Sequence, residues 1–338
     1  MIKVFRLILI CFLALVLATC NRGSLFKEER LAMDTFSSIM VVASSPIEAT
    51  QAIDWGFKEI ERIGKLVDYY SEASEISAVN RASGVQPVKV SQETLLLVQA
   101  ALSVSQLTGG AYDPTIGPVV RLWDFQQSVK PDQTELNAKL GLVDYKKVVI
   151  DKTHSTIFLQ DKGMALDLGG IAKGFGADRA IEALQSKGIS AALVAIGGDI
   201  RGLGLKPDNR PWRIGIQHPR TDSNQSEEQR IFASLPLNNQ AISTSGDYQR
   251  YFIKDRIRYH HLLNPITGLP AKGLISVTII ANEGVQADAL ATGVFVMGLD
   301  SGLKLLRSLG VDGVLVDEHQ KIHITHGLDK IWSAPLQL

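Results

Sequence analysis

The stretch from Leu166 to Asp178, Leu-Asp-Leu-Gly-Gly-Ile-Ala-Lys-Gly-Phe-Gly-Ala-Asp, constrains this chain more than any other. Apolar residues from Ser155 to Leu168 cluster and alternate as a strand does, and Ala180, Ile181 and Leu184 recur at helical spacing through Ser186. Gly169 and Gly170 therefore fall at a strand-to-helix corner. Residues without a Cβ let a ligand approach the backbone, and the first N–H groups of a helix lack internal partners. Such a corner favours anions, and Lys173 adds a full positive charge. An ordinary turn with one solvated lysine would carry the same residues. The corner is not a P-loop, because no Gly-x-x-x-x-Gly-Lys-Ser/Thr run occurs, and no G-x-G-x-x-G opens the helix.

A second pair lies far downstream. If Ala287 to Met297 is helical, Asp288 and Thr292 stand at i and i+4 on one face. A carboxylate and a hydroxyl so placed suit a hard divalent cation completed by phosphate oxygens and water. A dipole-favoured acid and a packed threonine would read identically. Between the two lie Ala241 to Asp247, whose hydroxyls beside a glycine can bind phosphate or make an ordinary turn, and the loop Tyr259 to Gly268 with adjacent His260 and His261. No further His or Cys stands at zinc-ligand spacing, so one histidine acting as acid or base is the better reading. Upstream, Tyr69 and Tyr70 offer aromatic faces, and Ala111 to Pro118 carries two prolines and a glycine that shape an irregular loop.

At the N-terminus, Lys3 and Arg6 precede the apolar run Leu7–Ala18, which is too short to span a bilayer and has the pattern of a secretory signal. Leu17-Ala18-Thr19-Cys20 resembles a bacterial lipobox, so residues 1–19 are expected to be a lipoprotein signal, with Cys20 lipidated and the chain facing the periplasm or outer side of the membrane. The charged residues 20–30 read as a tether, and 31–338 as the folded domain. With Cys11 lost and Cys20 lipidated, disulfides, thiolate metal sites and a cysteine nucleophile are excluded. Thirty-five basic residues balance 35 acidic ones, so no electrostatic footprint for nucleic acid exists. Strands and helices mix without βαβα alternation, which predicts an α+β fold with mixed, largely antiparallel sheets packed with helices.

Seven segments, in this order, resemble the ApbE family of flavin transferases: Met33-Asp34-Thr35, Tyr70 through Asn80, Gly110 through Phe125, Leu166 through Asp178, Thr244-Ser245-Gly246-Asp247, His261 through Gly268, and Asp288 through Thr292. The resemblance runs from Met33 to about Leu306 and implies a T-fold-like architecture. It implies a Mg²⁺-dependent enzyme that takes FAD as substrate, joins FMN to a Thr or Ser hydroxyl of an acceptor flavoprotein, such as a subunit of a membrane redox pump, and releases AMP. By position, Met33, Tyr70, Ala111, Tyr112, Asp113, Asp167, Lys173 and Leu262 resemble FAD-contacting residues. Asp288 and Thr292 resemble metal ligands, with Gly170 and Ala291 contributing more weakly through backbone carbonyls, and His261 with Asp288 resembles the catalytic group. Asp34 replaces a usual glycine and Asn264 a usual acid. An FAD pyrophosphatase and a non-catalytic flavin-binding lipoprotein are the alternatives.

Overall fold

The computed structural model describes residues 23–220 and 230–332. The expected signal, Cys20 and most of the polar segment 220–230 lie outside the described residues. In chain order the strands and helices are β1 (Ser24–Ala32), β2 (Thr35–Ala43), α1 (Pro46–Val67), α2 (Glu75–Arg81), β3 (Val88–Lys89), α3 (Gln92–Leu107), α4 (Gly117–Val120), α5 (Gln133–Leu140), β4 (Val148–Asp151), β5 (Thr156–Leu159) and α6 (Ala172–Ser186). There follow β6 (Ala192–Ile196), β7 (Asp199–Leu203), β8 (Trp212–Gln217), β9 (Ile231–Leu237), β10 (Ala241–Gly246), β11 (Tyr251–Lys254), β12 (Ile257–His260), β13 (Leu274–Ala281), α7 (Gly284–Met297), α8 (Leu299–Leu309), β14 (Asp312–Asp317) and β15 (Ile322–Ile324).

The expected α+β architecture is what forms. One antiparallel sheet of eight strands, in the order β1-β2-β6-β7-β10-β13-β14-β15, runs through the molecule. Its strands are apolar on both faces where both are covered: β13 is buried at every position. On one face α1 and α6 pack on β2 and β6 through Ile39, Val41, Phe57, Ile60, Ala180 and Leu184. Further along that sheet α3 and α7 bury Leu95, Val98, Leu290 and Phe295 with Val277 and Ile279 of β13. The β8–β9 ribbon covers the other face, setting Trp212, Ile214 and Leu235 against Leu193, Ile242 and Val314. Burying a single large apolar side chain in such a core is worth about 1.5–3 kcal/mol, which is why the periodic helices hold their predicted positions.

The local signals behave as chemistry requires. Ser45 caps α1 by accepting from the Glu48 N–H, with Pro46 at the first helical position. The helix α3 stops where Gly109 and Gly110 adopt φ of 61° and 87°.

Three expectations need correction. Residues 24–30 are not tether: they form most of β1, paired in register with β2 from Ser24↔Ala43 to Ala32↔Thr35. Its charges alternate because an edge strand shows both faces to water over much of its length. The strand predicted over residues 155–168 ends at Leu159; beyond it Asn80 takes over, its Oδ1 accepting from the Leu166 N–H at 2.7 Å and its Nδ2 donating to the Leu166 carbonyl at 2.9 Å. The hydroxyl-rich run at 241–246 is a strand, not a turn. The polar residues 126–135 run into α5, capped by Asp132 and anchored by the buried Leu136.

Candidate active site

The site is made by two helices that approach more closely than side chains ordinarily allow. Where α6 crosses the start of α7, Gly174 and Gly284 face each other; a Cβ on Gly174 would land inside the Gly284 carbonyl and 2.8 Å from Asp288 Cβ. Asp178 fastens the crossing, accepting the Gly284 N–H at 2.7 Å and the Val285 N–H at 2.8 Å, so an acid on one helix caps the other. As a result the Gly174 N–H, in the first turn of α6, donates to Asp288 Oδ2 at 3.0 Å. The corner upstream is tied by Asp167, whose Oδ1 accepts from the Gly169 N–H at 2.8 Å. A Cβ on Gly170 would stand 3.1 Å from Thr292 Oγ1 and 3.3 Å from the Tyr112 ring. The glycine corner and the distant Asp288/Thr292 pair thus form one place.

These groups open into a cavity of about 860 Å³. Of the residues expected at the site, Met33, Tyr70, Ala111, Tyr112, Asp113, Asp167, Gly170, Lys173, His261, Leu262, Asp288 and Thr292 all line it. Ala291 is not among the lining residues; its side chain packs in the core, which leaves only its backbone carbonyl for the expected role. Met33 sits in the β1–β2 turn with φ of 50°, next to Asp34 at 56°. Two successive positive φ angles define the hairpin turn that favours glycine at its second position, which explains why Asp34 is unusual there. Asp113 lines the cavity but spends its carboxylate on the loop, accepting from Thr115 N–H and Oγ1 and, at 3.0 Å, from the Tyr145 N–H. Of the two tyrosines, Tyr69 is buried with its hydroxyl on the Gly117 carbonyl at 2.8 Å, while Tyr70 is exposed at the cavity wall.

Charge is concentrated at the floor. Lys173 Nζ is paired with Asp199 and lies 3.9 Å from Asp288 Oδ2. Burial works against the ammonium, but the Asp199 and Asp288 charges outweigh it and its pKa is raised. The Asp288 carboxyl is pushed up to about 7, by burial first and then by Asp199, against the pull of Lys173 and the α6 N–H groups. Two acids share one lysine there, so Asp288 is a carboxylate whose ionised form a hard cation would stabilise. Thr292 Oγ1 is 3.2 Å from Ser245 Oγ, and the buried Tyr112 hydroxyl has no hydrogen-bond partner among the described residues. One carboxylate, neighbouring hydroxyls and open corner backbone are the oxygen donors Mg²⁺ accepts when substrate phosphates and waters complete its shell. Among the described residues no cluster of three or more His, Cys, Asp or Glu forms a fuller cage.

The two histidines divide. His260 is buried, with Nε2 3.0 Å from the Ala271 carbonyl. His261 lines the cavity; its main-chain N–H donates to the Arg250 carbonyl at 3.1 Å and its Nδ1 lies 3.3 Å from the same oxygen. An Nδ1–H donated there leaves the lone pair on Nε2. Burial, then the charge of Arg250, pushes its pKa down to about 3, so the ring is a neutral base. Asn264 accepts from the Ile266 N–H at 2.8 Å, doing in this loop what a carboxylate would, and Trp123 Nε1 braces the loop by donating to the Gly268 carbonyl at 3.2 Å.

Two residues of the site carry no sequence signal. Asp199 follows a Gly-Gly turn that reads as ordinary, and Arg250 stands in an unremarkable polar run; only long-range folding brings them to Lys173 and His261.

A fold of this kind, with a cation-ready acid, a helix N-terminus and a neutral histidine in one cavity, defines a family. The ApbE family model matches residues 33–315, and the chain belongs to the ApbE family. Among curated relatives, an FAD:protein FMN transferase of Klebsiella pneumoniae is 35% identical over 285 residues, covering 83% of this chain and 84% of that one. One of Vibrio cholerae is 37% identical over 249 residues, 72% of each chain. Among solved structures, the ApbE protein of Thermotoga maritima superposes with a TM-score of 0.83 at 33% identity, covering 92% of this chain and all of that one. The flavin transferase ApbE of Vibrio cholerae gives 0.78 at 31%, covering 92% of this chain and all of that one.

Proposed function

We propose that this chain is an FAD:protein FMN transferase, acting with Mg²⁺ on a Thr or Ser hydroxyl of an acceptor flavoprotein and releasing AMP. The observation that carries it is the convergence of the α6 N-terminus, Lys173, Asp288 and Thr292 with His261 in one cavity. Names of relatives over most of their length support the flavin chemistry. The residues Asp288, Thr292 and the Gly170 corner would hold Mg²⁺, which when bound supplies charge neutralisation on the diphosphate. Phosphoryl transfer asks the protein mainly for alignment and electrostatics. Lys173 and the α6 N-terminus orient the diphosphate. His261 Nε2 takes the proton of the acceptor hydroxyl, whose oxygen bonds to the FMN phosphorus as the bond to the AMP phosphate breaks. The Tyr70 face and the Met33 turn border the flavin.

In keeping with residues 1–19 as a lipoprotein signal, the enzyme would work lipid-anchored in the cell envelope, facing the periplasm or the outer side of the membrane, where redox-pump subunits present acceptor sites. Incubation with FAD, Mg²⁺ and a periplasmic flavoprotein subunit should render that subunit fluorescent in a denaturing gel. Free FMN with no labelled protein would point instead to a pyrophosphatase, and retained intact FAD to a carrier.

A further inference from the structure

The floor cations are largely spent. Lys173 is held by Asp199 and Asp288, and Asp167 and Asp288 add negative charge around the place assigned to a diphosphate. Two other basic side chains line the cavity, Lys65 and Arg250, and neither has an ion-pair partner among the described residues. They are not equivalent. Lys65 lies in the last turn of α1, beside Gly64, whose neighbour across the wall is Met33. Arg250 precedes β11, and its carbonyl already receives the His261 N–H. Its positive charge is felt at Asp167, Lys173, His261 and Tyr70, which are groups on several sides of the same floor. Lys65 figures at none of them.

We propose that Arg250 is a diphosphate-binding and positioning residue of this site: its guanidinium binds the substrate's phosphate oxygens beside the base, while its main-chain carbonyl orients His261. This rests on the flavin-transfer reading and deepens it. A planar guanidinium offers paired N–H donors matched to phosphate oxygens, and an exposed Arg that no acid among the described residues holds in an ion pair keeps them available until substrate arrives. One residue would then couple phosphate capture to the direction of the base, since the side chain and the carbonyl belong to the same turn.

The test is binding to purified protein with Mg²⁺, read by flavin fluorescence, using FAD and riboflavin as probes, alongside steady-state transfer kinetics. Arg250→Ala should weaken FAD about tenfold or more and leave riboflavin unchanged, because riboflavin lacks phosphate. Arg250→Lys should recover part of the FAD loss as a point charge. Since the carbonyl survives both substitutions, KM for FAD should rise more than kcat falls. An unchanged melting temperature shows that the loss is local. Equal FAD affinity in wild type and Arg250→Ala, or equal weakening of FAD and riboflavin, would overturn the assignment of Arg250 while leaving the transferase intact. Wild-type protein that binds no FAD would overturn both.

Discussion

Gly174→Ala tests whether the helix crossing makes the site. The added Cβ would lie 2.1 Å from the Gly284 carbonyl oxygen and 2.8 Å from Asp288 Cβ, so α6 and α7 must part by roughly 1.4 Å to reach ordinary contact near 3.5 Å. Overpacking of this kind costs about 1–3 kcal/mol. The same shift stretches the 3.0 Å bond from the Gly174 N–H to a buried carboxylate, a bond type worth about 1.5–3 kcal/mol. Together these give about 2.5–6 kcal/mol, or a melting temperature lower by on the order of 10 °C. Thermal denaturation by circular dichroism measures it, and isothermal titration with Mg²⁺ and FAD measures the damage to the site. Gly141→Ala is the control: nothing lies within 4 Å of its Cβ position and its φ is −63°, so Ala should be neutral or slightly stabilising. Were Gly174→Ala to melt with the wild type and bind Mg²⁺ and FAD equally well, the close crossing would not be what places Asp288.

Other outcomes follow from single groups. Tyr112→Phe removes a buried hydroxyl without a partner, whose burial costs about 1–3 kcal/mol, so the ligand-free protein should melt a few degrees higher while FAD affinity falls; calorimetry with and without FAD reads both. Asp199→Asn strips Lys173 of its closest partner and should destabilise by about 3–5 kcal/mol in urea unfolding, as breaking buried ion pairs does. His261 has its pKa lowered from 6.5 to about 3, so the unfolded chain takes up a proton that the folded one refuses; its stabilising contribution is present above pH 6.5 and is lost as pH falls toward 3. His261→Gln should flatten that part of a stability profile measured by urea unfolding, and the His261 ring of the wild type should show no NMR titration near 6.5. Asp288→Ala should abolish transfer and Mg²⁺ binding, seen by titration calorimetry.

Much of this was legible in the residues because the informative contacts are local. The helix α1 begins at its Ser-Pro signal and keeps its apolar stripe to Val67, and α3 ends at paired glycines. The Leu166–Asp178 corner reads correctly because close approach of another element demands glycine: a Cβ would press on Thr292 at Gly170 and on the Gly284 carbonyl at Gly174. What stayed hidden depends on partners distant in the chain. Asn80 clamps Leu166 from 86 residues away, so the apolar run after Leu159 looks like a strand although no strand pairs with it. The strand β1 carries the charges of a linker because its outer edge meets water, and only its pairing with β2 reveals it. Asp199 and Arg250 are ordinary polar residues until the sheet delivers one to Lys173 and the other to His261. Asp113 shows the reverse, a residue in the right loop whose carboxylate is occupied in holding that loop together.

Transfer itself is tested most directly by weighing the acceptor. Intact-mass spectrometry of a purified acceptor subunit after incubation with this protein, FAD and Mg²⁺, with AMP quantified in the same sample, follows both halves of the reaction. Flavin transfer through the Asp288–Lys173–His261 cavity predicts one added FMN phosphoester for each AMP released, and neither product with Asp288→Ala. AMP formed without a heavier acceptor, or a labelled acceptor in the Asp288→Ala reaction, would contradict it.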